Sequence, residues 1–160
     1  MKRTTLMLAA LALLSVAAPT AADAQIYIGP EVAFNDEADF GIGGGLEFDM
    51  PSIDPNISYL GDFLFFFPDG FDYFEFNTNL TYDLPLEDSS IVPFVLSGLN
   101  VARVSTEGID DASDTEIGLN IGGGIKFDAG DLSPRVTGRF NLFSSESFTL
   151  TFFVPFRVSD

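Results

Sequence analysis

The chain contains no cysteine and no histidine. Without cysteine it forms neither disulfides nor thiolate metal sites. Without histidine it lacks the commonest general base and the commonest metal ligand. Positive charge is scarce too: 7 Lys and Arg stand against 24 Asp and Glu, a formal net charge of −17. So acidic a chain does not neutralise phosphates, which excludes nucleic acid as a partner. Beyond the first 24 residues no apolar run approaches the roughly 20 residues that a spanning helix needs.

What is present begins with an export signal. Lys2 and Arg3 form a positive start, Leu6–Ala18 an apolar stretch, and Ala22-Asp23-Ala24 a small-x-small cleavage site before Gln25. That stretch is too short to span a bilayer as a helix. No cysteine follows it, so no lipoprotein anchor is expected. The chain therefore divides into a signal peptide, 1–24, and one domain of ordinary size, 25–160. Residues 25–160 keep 5 of the basic and 23 of the acidic residues, a net of −18. They are too rich in Phe, Leu, Ile and Val to be a disordered acidic chain.

The domain is punctuated by turn residues into eight segments: Ile26–Phe34, Phe40–Met50, Asn56–Phe67, Phe71–Leu84, Ile91–Val104, Thr115–Asp128, Pro134–Phe143 and Glu146–Arg157. Most alternate with a period of two, the signature of a strand with one apolar and one polar face. From Ile117 to Phe127 every odd position is apolar or Gly; the even positions around them are polar, charged or Gly. In the second segment Phe40, Ile42, Leu46, Phe48 and Met50 oppose Glu47, Asp49 and three glycines. In the third, Leu60, Leu64 and Phe66 blur the pattern. In the fifth, Val95, Leu99 and Val101 are expected to face out. Soluble strands usually run five or six residues, whereas several here reach about twelve. At about 3.3 Å per residue that length crosses a bilayer at barrel tilt.

Charge placement favours a membrane barrel over a soluble one. The five basic residues of the domain, Arg103, Lys126, Arg135, Arg139 and Arg157, are read on the polar face with Glu31, Glu47, Asp62, Glu75 and Glu116. A narrow lumen explains this arrangement, because buried carboxylates need partners and Arg supplies several donors. Closure also pairs every backbone group, as lipid requires. The expected fold is all-β: an eight-stranded antiparallel up-and-down transmembrane β-barrel after a cleaved signal peptide. Pro30 and Pro155 fall in the first and last strands, where each removes a ladder donor, so a bulge or local irregularity is expected at that seam.

FGIGGGLEFD (Phe40–Asp49) and LNIGGGIKFD (Leu119–Asp128) are near copies. Their alignment sets Glu47 against Lys126, opposite charges expected to approach across the lumen. Neither is a nucleotide loop: the GxGxxG spacing is not met and no helix follows.

The stretch IVPFVLSGLNVARVS, an acidic loop and DTEIGLNIGGGIKFD together resemble the central hairpin of the small outer-membrane protein β-barrel family, the OmpA/OmpX-like, porin-family-like type. The resemblance implies an eight-stranded barrel, periplasmic termini and outer-membrane location, but no single function. It also implies contact with outer-membrane lipid and lipopolysaccharide, and with the barrel-insertion machinery. Family members often end on an aromatic residue, whereas this chain continues past Phe156 with Arg157-Val158-Ser159-Asp160.

Chemistry finds little purchase. Enzymes resembling lipid A deacylases or palmitoyltransferases depend on a histidine that is lacking here. Glu75 and Glu116 are the nearest to an acid–base pair, but cations on the same face make charge-paired lumen filling the better expectation. The acidic loop Glu107–Asp114 could make a weak divalent-cation contact, without EF-hand spacing. No cofactor is implied. The expected function is a non-enzymatic outer-membrane barrel with a plugged, charge-paired lumen, serving envelope integrity or surface interaction. The alternatives are a narrow conduit or binding barrel for small hydrophobic molecules, suggested by Phe63–Phe67, and a soluble periplasmic lipid-binding barrel.

Overall fold

A computed structural model describes residues 25–87, 89–105, 113–127, 129–142 and 146–158. The export signal and residues 106–112 of the acidic loop lie outside the described residues. The strands are β1 (Ile26–Asn35), β2 (Asp39–Asp49), β3 (Ile57–Phe66), β4 (Asp72–Asp83), β5 (Ile91–Ser105), β6 (Ser113–Phe127), β7 (Arg135–Leu142), β8 (Phe148–Phe153) and β9 (Phe156–Arg157). From β1 to β8 each strand pairs antiparallel with its chain neighbours, and β1 closes the circle by pairing with both β2 and β8. Because β9 continues the line of β8 along β1, the wall has eight staves.

Alternation places the side chains. Along β4, Tyr73, Glu75, Asn77, Asn79 and Thr81 are buried, while Leu80 and Tyr82 are 53 % and 41 % exposed. The same inversion holds around the wall. Ile42, Phe63, Leu99, Ile117, Phe140 and Phe152 are exposed, while buried positions carry Glu, Asp, Asn, Thr and Arg. A water-soluble domain puts its charges out and its apolar groups in; this barrel does the reverse.

The blurred third segment resolves in the same way. Leu60, Leu64 and Phe66 face the interior alongside Ser58 and Asp62. Leu64 and Phe66 join Ala33, Ala38, Tyr73 and Ala102 in a buried apolar cluster at the end of the barrel away from the chain termini. The Phe66 and Tyr73 ring centroids lie 5.4 Å apart.

The seam between the first and last staves is interrupted without a bulge. Glu31 pairs with Phe153 and Ile28 with Phe156, so two residues lie between the pairs on each strand and the register is unbroken. Between them Pro155 has no N–H to give, which splits the expected last strand into β8 and β9. The neighbouring Val154 N–H still donates to the Pro30 carbonyl at 3.0 Å. Gly29 fits here for want of a side chain: a Cβ would meet the Val154 carbonyl oxygen at 2.2 Å.

Candidate functional site: the charged interior

Two cation centres occupy the interior. Nearest the termini, Arg135 of β7 is 1 % exposed and donates through Nη2 to Glu47 of β2. Its guanidinium carbon lies 5.5 Å from the Phe94 ring centroid and 5.7 Å from that of Phe153, within cation–π range. Lys126 Nζ stands 2.5 Å from Asp83 and 3.6 Å from Glu47. The two echoed positions thus meet inside the barrel, although each has a nearer partner. Asp83 falls on the polar face of its segment by parity with Thr81, but it was not among the expected lumen charges.

Higher in the barrel, Arg139 holds Asp62 through two hydrogen bonds, Nη1 to Oδ2 at 2.9 Å and Nη2 to Oδ1 at 3.1 Å. Its Nη2 is also 3.5 Å from Glu75 Oε2. Glu75 accepts from the Tyr73 hydroxyl at 2.8 Å and from Asn77 Nδ2 at 3.3 Å. Such forked, charge-assisted geometry offsets part of the cost of removing these ions from water.

A belt of amides extends this centre sideways. Asn77 donates to Asp62 at 2.8 Å and accepts from Asn100 at 2.8 Å and Asn120 at 2.9 Å. Asn120 also donates to Asn79 at 3.0 Å. Farther toward the distal end, Asn35 donates to Thr149 at 2.9 Å. The period of two sets Asn77 and Asn79 on one face of β4, but no local pattern announces a belt whose members come from three staves.

The remaining expected lumen residues divide. Glu31 is 4 % exposed, and its Oε2 makes no hydrogen bond among the described residues. Glu116 is half-buried on the inward face of β6, opposite the buried Ala102. Arg157 sits at the mouth and pairs with the exposed Asp131. Arg103 departs from expectation: it is exposed on the outward face of β5. It shares the parity of Val101, Leu99 and Val95, and the inward position beside it belongs to Ala102. Two residues from the strand end, its long stem can carry the charge toward the interface.

Chemically, this is an arrangement of mutually engaged charges. Glu75 is fully buried and held by Tyr73, Asn77 and Arg139, whereas Glu116 lies on another stave. Among the described residues no group of three or more His, Cys, Asp or Glu is placed to hold a metal ion. Asp114, the last residue of the proposed cation loop, is exposed at the start of β6.

A closed eight-stave wall with an apolar exterior and a polar interior defines the fold of the small outer-membrane barrels. Solved structures agree. The chain is similar to the N-terminal β-barrel domain of Pseudomonas aeruginosa OprF, with a TM-score of 0.64 and 13 % identity over 84 % of this chain and 97 % of that one. It is equally similar to Neisserial surface protein A, NspA, with a TM-score of 0.64 and 14 % identity over 86 % and 97 %. Ail, the attachment invasion locus protein of Yersinia pestis, matches with a TM-score of 0.56 and 14 % identity over 84 % and 97 %. No family model matches the chain, and no curated protein matches it by sequence.

Proposed function

We propose that this protein is a non-enzymatic barrel of the outer membrane, with a lumen closed by its own paired side chains, serving envelope integrity or surface interaction. The observation that carries the reading is the inversion of polarity. Arg135, Arg139, Glu47 and Glu75 are at most 1 % exposed, while Phe34, Phe63 and Phe140 are 48 % to 58 % exposed. Lipid is the solvent that suits such a surface. Outer-membrane lipid and lipopolysaccharide are then its surroundings. The outward row of Leu150, Phe152 and Phe156 on the last stave suits recognition by the insertion machinery. Ail has been solved with the heparin analogue sucrose octasulfate. A polyanion of that kind is not carried over to a chain of net charge −17.

The charged interior weighs against a soluble lipid-binding barrel, which needs an apolar one. It also weighs against a hydrophobic conduit through the lumen. Phe63 and Phe65 point outward, and an apolar hollow of about 500 Å³ beside Ile28, Pro30, Tyr59, Phe63 and Phe76 lies on the outer wall. Membrane fractionation tests the placement: the protein should resist carbonate and high salt, dissolve in detergent, and run as a folded band that shifts on boiling. Release by salt alone refutes it. In liposomes the purified protein should add no conductance, and steady single-channel currents would refute the closed lumen.

A further inference from the structure

We propose that Gln25, as the first residue of the exported chain, closes into a pyroglutamate lactam at the mouth of the barrel, assisted by the hydroxyl of Tyr27. The proposal rests on the export reading, which sets cleavage between Ala24 and Gln25. Cleavage turns the Gln25 backbone nitrogen into a primary amine. That amine attacks its own side-chain Cδ, forming a five-membered ring. The bond from Cδ to the side-chain nitrogen breaks, and ammonia leaves with a proton given up by the attacking amine. No oxidant or co-reactant is required.

The geometry favours the step. Gln25 stands just before β1 and is exposed, so no packing opposes a ring. Its carbonyl is already fixed, accepting from the Asp49 N–H at 3.1 Å. Residues two apart on a strand share a face, which sets Gln25 beside Tyr27. Both line a mouth hollow of about 400 Å³ with Asp49, Asp83, Lys126 and Arg157. The Tyr27 hydroxyl donates to Gln25 Oε1 at 2.5 Å. Negative charge builds on that oxygen when the amine adds to Cδ, so a donor held there stabilises the adduct. The lactam would remove a positive charge from the mouth and deny aminopeptidases a free end.

The test is the intact mass and the N-terminal peptide of protein purified from the membranes of an expressing Gram-negative host. The expected species begins at residue 25 and is lighter by one ammonia. A chain beginning at residue 25 with its full mass overturns cyclisation and leaves the export reading standing. A chain beginning elsewhere overturns the export boundary, and the proposal with it. In samples taken early after induction, Tyr27→Phe should lower the cyclised fraction about fivefold, the worth of one exposed hydrogen bond. Equal fractions in Tyr27→Phe and the parent overturn the assisting role. Gln25→Ala, which has no side-chain amide to cyclise, should keep a free amine. Ammonia loss at that position would place the modification elsewhere and overturn the assignment. The heat-shifted band checks that each variant is folded.

Discussion

Replacing Arg139 by methionine strikes the interior where charge is most concentrated. The Arg139 side chain is 1 % exposed, and the two carboxylates it faces, Asp62 and Glu75, are 0 % exposed. Arg139→Met keeps most of the aliphatic bulk but leaves both carboxylates without a cation. Removing one partner of a buried ion pair costs about 3–5 kcal/mol, and two stranded carboxylates argue for the upper half of that range. With a urea slope of about 2 kcal/mol per molar, the unfolding midpoint should fall by about 2 M. The chain has no tryptophan, so far-ultraviolet circular dichroism in detergent micelles is the suitable probe. Adding Asp62→Asn and Glu75→Gln to Arg139→Met removes both stranded carboxylates along with their cation, and at least half of the loss should return. A single-variant shift below about 0.5 M, or a triple variant no more stable than the single, would show that charge pairing does not hold this centre together.

Four further substitutions extend the reasoning. Arg135→Met should cost less than Arg139→Met, about 2 kcal/mol, because Lys126 remains 3.6 Å from Glu47; the same urea titration ranks the two. Glu31→Gln should leave stability unchanged or raise it by about 1 kcal/mol, since it removes a buried charge whose Oε2 has no hydrogen bond among the described residues; a lowered midpoint would contradict this. Gly43→Ala should destabilise by about 2 kcal/mol, because its Cβ would meet the Phe63 carbonyl oxygen at 1.9 Å, whereas for Gly44→Ala the nearest atom is the Gly29 carbonyl oxygen at 3.1 Å and folding yield should hold; equal yields would refute the close approach.

Much of the fold was legible because one period governs nearly every segment. From the alternation of Phe40, Ile42 and Leu46 with Gly41, Gly43 and Gly45, the wet and greasy sides of a stave can be assigned without knowing its neighbours. The reading stumbles where apolar residues occupy both faces. Leu64 and Phe66 face the interior as part of a buried apolar cluster at one end of the barrel, which local pattern does not announce. Arg103 misled for a related reason. Its charge suggested the inside, but its parity with Val101 and Leu99 points out, and near a strand end a long stem tolerates that position. Parity was the better guide.

The sequence by itself determined the architecture: strand number and length, the side each stave turns to lipid, and the confinement of most cations to the other side. These follow from local rules, the two-residue period and the short turns between segments. Only the tertiary structure decided which charges meet. Arg139 lies 77 residues from Asp62, and Arg135 lies 88 from Glu47. Closing the wall between β1 and β8 brings distant staves across a narrow lumen, and the register of each hairpin sets the height of every side chain within it. A shift of one residue would exchange inside for outside. Partner choice is therefore a property of the closed barrel, and no single strand carries it.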